Sequence, residues 1–161
     1  MRSDVATFGA GCFWGVESAF RYIPGVTETS VGYMGGHFPN PCYLDVCARI
    51  TGHAEVAQIT FTPDHISYDD LLKIFWSIHD PTSLNRQGAD RGEQYRSVIF
   101  AHSDHQRAIA NHSKDQQQRS GAYDKPIVTK IELASSYYLA TDEHQHYFEK
   151  KGMLLPDWSR D

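Results

Sequence analysis

Hydrophobic and polar residues alternate in two different periods along this chain. Val5 to Phe8 is a short β-prone run closed by Gly9. From about Cys12 to Arg21 the apolar positions Phe13, Val16 and Phe20 recur at helical spacing, until Ile23-Pro24-Gly25 stops them. The period then becomes two, with Val26, Glu28 and Ser30 facing one way and Thr27, Thr29 and Val31 the other. Asn40-Pro41 reads as an N-cap with Pro at the first helical position and predicts a short helix over 41–47. AEVAQITF (54–61) reads as a strand closed by Thr62-Pro63. Ser67 caps a helix whose Leu71, Leu72, Phe75 and Trp76 form one apolar stripe, ended by Asp80-Pro81. Residues 85–94 (NRQGADRGEQ) have two glycines and no apolar period, which predicts an ordered loop leading into a strand over 95–100. A polar helix over 103–120, a strand over 127–133 and a last helix over 141–151 complete the order. Strands alternating with helices in this way predict an α/β (α+β) fold, with helices packed on a central mixed sheet in two layers.

The chain has 161 residues, no repeats and no Pro/Gly/Ser-rich linker, which argues for one domain over 1–161. Its net charge of -5 offers no basic face, so nucleic acid is an improbable partner. No apolar run approaches the ~20 residues of a membrane helix and the first residues lack the pattern of a secretion signal, so a cytoplasmic location is expected. Three cysteines, Cys12, Cys42 and Cys47, are an odd number confined to the first third of the chain. That fits free thiols in a reducing compartment better than a disulfide framework.

The chemistry concentrates in GAGCFWG, residues 9–15. With a strand ending near Phe8 and a helix starting near Cys12, the sulfur sits at a helix N-terminus, where free N–H groups favour a negative charge and lower a thiol pKa. Gly9 and Gly11 permit the tight turn. Phe13 and Trp14 could wall an apolar pocket beside the thiol. A dinucleotide fingerprint fails, because its third glycine would fall at Trp14. The plainer alternative is that Cys12 is a small buried hydrophobe. Glu55 lies among Ala54, Val56 and Ala57, so it is either a carboxyl withdrawn from water, with a raised pKa suited to donating a proton, or a side chain on the solvent face of an edge strand. His53 and Glu55, His102 and His105, and His144 and His146 are short-range pairs, but the chain has no CxxC or HExxH, so no metal site is expected. A cysteine hydrolase or acyl transferase with His53 as base stays open.

The stretches GCFWGVE, GVTETSVGYMGG, NPCY, VCARITGHAE, FWSIHDPT, NRQGADRGEQYRS and DEHQHYFEKKG, in this order and spacing, resemble the peptide methionine sulfoxide reductase family of type A. The resemblance runs nearly end to end. It implies a two-layer sandwich on a ferredoxin-like core, with reduction of the S epimer of methionine sulfoxide, free or in oxidised proteins. It makes Cys12 the nucleophile, Phe13 and Trp14 the holders of the substrate methyl, and Glu55 the proton donor. Tyr43 and Tyr95 would grip the sulfoxide oxygen, with Asp90 near the substrate backbone or the thiol. No bound cofactor is implied, and thioredoxin, or glutaredoxin with glutathione, would serve as external reductant; a monomer is the default expectation. Many members resolve the sulfenic acid with a cysteine in the C-terminal tail, whereas the tail here, KGMLLPDWSRD, has none. Two routes follow. Either Cys42, where the family commonly has threonine, is an unconventional resolving thiol, or one cysteine suffices and an external thiol reduces it, which is the expectation favoured here. A relative that binds methionine sulfoxide without reducing it is the remaining alternative.

Overall fold

The computed structural model describes residues 2–152. A six-stranded sheet runs β7-β6-β1-β3-β2-β8, built from β1 (Asp4–Ala10), β2 (Val26–Met34), β3 (Ala54–Phe61), β6 (Ser97–Ala101), β7 (Lys130–Leu133) and β8 (Tyr138–Leu139). Every neighbouring pair is antiparallel except β6 with β7. Helices α1 (Phe13–Arg21) and α3 (Tyr68–Ser77) make the β1-α1-β2 and β3-α3-β6 connections, which with the order β6-β1-β3-β2 is the ferredoxin-like core the resemblance implied.

Period-two alternation decides which layer each strand residue enters. Ala6, Phe8, Val31, Ala57, Ile59 and Phe61 point to the helical side, where they bury Phe13, Phe20, Leu71, Leu72 and Phe75. Their sequence neighbours Ala54, Val56 and Val98 point to the other face, which is covered by Ala134 and Tyr137. Ser67 caps α3 as expected, its Oγ accepting from the Asp70 N–H at 3.0 Å while Asp70 accepts from the Ser67 N–H at 3.3 Å. Helix α4 (Asp104–Arg119) likewise starts on Ser103, whose Oγ accepts from Gln106 N–H at 3.0 Å, and ends before Gly121 at φ 78°.

Several expected boundaries move, each for a tertiary or turn reason. The short helix α2 is Tyr43–Cys47 and is capped by Cys42, because Asn40 adopts a left-handed φ of 48° instead of the cap conformation. Residues 85–94 are not all loop: Arg86–Gln87 (β4) and Asp90–Arg91 (β5) pair as a hairpin too short to show a period. Tyr95 belongs to a 3-10 turn, Glu93–Tyr95, and β6 begins at Ser97. The strand predicted over 127–133 pairs only from Lys130. The helix predicted over 141–151 breaks into a 3-10 turn, Asp142–His144, and a short α5, Tyr147–Lys150, with β8 unforeseen before it. His146 interrupts it at φ 52°, turning its N–H to Glu17 Oε1 at 2.8 Å instead of along a helix. The Gln145 side chain meanwhile pairs with both the N–H and C=O of Val31 at 2.8 Å. The sheet edge out-competes the helical period. The tail beyond Gly152, where the resemblance sought a resolving cysteine, lies outside the described residues.

Candidate active site

Cys12 caps α1, delivered by the turn after β1 in which Gly11 takes φ 98°, a conformation that suits glycine. A Cβ on Gly11 would stand 3.1 Å from Gln87 Cβ, so the β4–β5 hairpin packs directly against this turn. Gln87 also clasps Asp80 by two hydrogen bonds, at 2.9 and 2.8 Å, tying the hairpin to the end of α3. The hairpin carries Asp90, exposed at the start of β5, to the thiol. A cavity of about 190 Å³ lined in part by Cys12, Gly15, His79, Gln87 and Asp90 opens on this side.

Glu55 settles between its two sequence readings. It lies on β3, an interior strand of the sheet, on the helical face, and is 1% exposed. Its Oε1 accepts from the Phe13 N–H at 3.1 Å, so the first free donor of α1 serves the carboxyl. Its Oε2 is buried with no hydrogen-bond partner among the described residues. Burial, with a smaller contribution from the Asp90 charge, outweighs the Phe13 N–H and pushes Glu55 up to about 8. Glu55 is therefore a neutral acid at pH 7.

The surroundings of Cys12 oppose the thiolate expected at a helix N-terminus. Burial, then the nearby Glu55 charge, pushes the Cys12 thiol up to about 12, against the lowering effect of the Trp14 and Gly15 N–H groups. The helix N-terminus acts in the predicted direction, but desolvation is larger. Thiol and carboxyl both rest protonated.

Phe13 and Trp14 diverge as two adjacent aromatics must. Phe13 is fully buried, its ring 5.6 Å from that of Tyr33. Trp14 is half-buried and held by Tyr147, stacked at 3.8 Å and 8°, and by His144, whose Nδ1 accepts from the indole N–H at 3.1 Å. Tyr43 on α2 completes the cluster, 6.4 Å from both rings and 4.6 Å from His144. Burial is the first cause that keeps the hydroxyls of Tyr43 and Tyr95 neutral, with Glu55 the leading charge on each beyond hydrogen bonding, so both are O–H donors facing the same acid; Tyr95 is pushed up to about 12. The sequence signals thus converge on one place. Tyr33 and Tyr147 carry no signal in the sequence beyond lying within the resembling stretches VGYMGG and DEHQHYFEKKG, and His144 stands out only through its spacing from His146.

Two further candidates are His53 and Cys42. His53 is buried and fully engaged, Nδ1 accepting from Gly36 N–H at 2.9 Å and Nε2 paired with Phe38 C=O at 2.7 Å, so it has no free nitrogen to act as a base for Cys12. This removes the Cys-His hydrolase reading. Cys42 is exposed at the start of α2, its N–H donating to Asp45 at 3.0 Å. Among the described residues no group of three or more His, Cys, Asp or Glu is arranged to hold a metal ion.

Comparison with known proteins identifies the family and the fold. The family profile described as peptide methionine sulfoxide reductase matches residues 4–155. A peptide methionine sulfoxide reductase MsrA 1 from a Nostoc species is 67% identical over 148 residues, covering 92% of this chain and 91% of its own. Among solved structures, Mxr1 from Saccharomyces cerevisiae in reduced form is 36% identical with a TM-score of 0.88, covering 96% of this chain and 90% of that one. Mxr1 in complex with Trx2 is 28% identical with a TM-score of 0.65, covering 91% and 85%.

Proposed function

The chain belongs to the peptide methionine sulfoxide reductase family and reduces methionine (S)-sulfoxide to methionine; we propose that Cys12 is its nucleophile and Glu55 the acid that protonates the oxygen. The observation that carries this reading is the link through one residue: Cys12 caps α1, and the next N–H along the chain holds the buried carboxyl at 3.1 Å.

A sulfoxide sulfur is a poor electrophile until its oxygen is protonated or strongly hydrogen-bonded. Glu55, protonated below about 8, supplies that proton, and the hydroxyls of Tyr43 and Tyr95 donate to the same oxygen. Protonation makes the substrate sulfur more positive, which provides the counter-charge that the desolvated Cys12 lacks at rest. The Cys12 sulfur bonds to the substrate sulfur as its thiol proton departs, the oxygen passes to Cys12, and methionine leaves as the thioether. Cys12 is left as sulfenic acid, and the thiol proton restores Glu55. The thiol is oxidised by two electrons and the sulfoxide reduced by two. Phe13 and Trp14 hold the methyl, contributing ~1–2 kcal/mol of burial and fixing which epimer presents its sulfur. Asp90, exposed on the hairpin, is placed to orient the substrate backbone. Nothing in this chemistry calls for a bound cofactor or metal.

A thiol must then reduce the sulfenic acid. The complex of Mxr1 with Trx2 supports a thioredoxin-type donor, with glutaredoxin and glutathione as the other candidate. The cavity beside Cys12 gives an external thiol a way in. No helix among the described residues is long and apolar enough to cross a membrane.

The test is incubation with methionine S-sulfoxide, without reductant and then with dithiothreitol. One methionine per chain should form in the first case, with Cys12 recovered as sulfenic acid, and sustained turnover in the second. Binding without methionine release would mark a non-reducing relative, and a Cys12–Cys42 disulfide after one turnover would replace the external-thiol route by an internal one.

A further inference from the structure

Two polar atoms on facing residues behind Phe13 are buried with no hydrogen-bond partner among the described residues, Glu55 Oε2 and Tyr33 Oη. A buried group left in this way costs about 1–3 kcal/mol, so two in one place call for a reason. They come from residues paired directly across β2 and β3, Tyr33 opposite Glu55. Direct cross-strand partners share a face, with Cβ atoms about 5 Å apart. That face is the helical one, since Val31 and Ala57, two residues along each strand, lie in the helix-packed core.

The surroundings close the arrangement. The Tyr33 ring rests 5.6 Å from Phe13, and the Phe13 N–H holds the other carboxyl oxygen, Glu55 Oε1, at 3.1 Å. With Oε1 already accepting, Oε2 is the oxygen left to carry the transferable proton. Both side chains are 1% exposed, so bulk water does not reach either orphan. Tyr33 stays a neutral O–H donor, because burial and then the Glu55 charge raise its pKa.

We propose that Tyr33 is a positioning residue for proton delivery, donating its hydroxyl hydrogen bond to Glu55 Oε2, directly or through one water, once Glu55 has protonated the sulfoxide oxygen. The proton moves from Oε2 to the sulfoxide oxygen, the negative charge appears on the carboxylate, and Tyr33 meets that charge while keeping its own proton. At rest the acid is neutral and the bond is not needed, which fits the two unpaired atoms. A donor that engages only after proton transfer favours the transition state over the resting site.

The inference rests on the proposed role of Glu55, and single-turnover kinetics separate the two. Methionine formed per enzyme is measured across pH for wild type and Tyr33→Phe, which keeps the ring. Loss of a hydrogen bond to a charged group predicts a fall of about tenfold or more in the methionine-forming rate. It also predicts that the alkaline limb, set by Glu55, moves up in pH, since the carboxylate loses its donor. Melting temperature should not fall, because the substitution removes an unpaired hydroxyl. Replacing Tyr33 with 3-fluorotyrosine, a stronger donor, should move the limb the opposite way, and this holds the test should Tyr33→Phe not fold. A Tyr33→Phe limb coincident with wild type, or a 3-fluorotyrosine limb that stays put, overturns the inference. If the alkaline limb persists unmoved in the residual activity of Glu55→Gln, it is the assignment of Glu55 that fails.

Discussion

Two glutamates in this chain are equally buried, at 1% exposure each, and are treated in opposite ways. Glu17, on α1, is surrounded by donors: Thr29 Oγ1 at 2.8 Å on one oxygen, the His146 N–H at 2.8 Å on the other, and the His146 ring nitrogen 3.4 Å away. Glu55, on β3, has one donor and one unpaired oxygen. A carboxyl rich in donors serves as a staple, here fastening the C-terminal segment that backs Trp14. A carboxyl short of donors holds its proton and becomes an acid. Burial is common to both, so the count of donors decides the role.

The largest effect that would break this contrast is on the chemical step. Glu55→Gln should lower single-turnover methionine formation by about a hundredfold or more, the usual weight of a general acid, while Glu17→Gln should leave it within a few-fold in rapid-quench measurements. Equal losses in both would mean that burial alone matters. Next comes pH: the wild-type rate should be flat through neutrality and fall as pH rises past about 8, where Glu55 gives up its proton. A limb near 4 would show an ordinary carboxyl.

Stability should reverse the order of the two residues. Glu55 binds its proton more tightly folded than unfolded, so its contribution to stability is complete below its unfolded pKa and is lost as pH rises from about 4.5 towards about 8. Glu55→Gln should therefore melt higher than wild type at pH 9 and close to it at pH 4 by calorimetry. Glu17→Gln should be destabilised by about 1–3 kcal/mol in denaturant titration, since its amide nitrogen would face a donor where a carboxyl oxygen now accepts. The smallest effect is at Cys42, which caps α2 as Cys12 caps α1: Cys42→Ser should match wild type in both single and multiple turnovers with dithiothreitol. A slow second turnover in Cys42→Ser alone would return Cys42 to the recycling step.

Helix α3 shows how much can be read locally: its cap and its apolar stripe are both coded between Ser67 and Trp76, and the structure keeps them, ending the helix at Ser77, just short of Asp80-Pro81. The C-terminal segment shows the limit. Its helical period is real, but Glu17 and Gln145 draw the backbone onto the edge of β2, and no local pattern records bonds between residues more than a hundred positions apart. The hairpin that presents Asp90 has two-residue strands, below the length at which alternation can be seen.

The site divides in the same way. Chain order alone determined that a cysteine flanked by glycines begins a helix, that two aromatics follow it, and that a glutamate sits in an apolar strand, because these are properties of neighbours along the backbone. Only the folded sheet decided the protonation states, raising the thiol to about 12 and the carboxyl to about 8, because desolvation sums over every element packed around a group. It also decided that Tyr33 stands across from Glu55 and that His144 and Tyr147 hold Trp14, because strand register and the path of the chain end are set by long-range packing.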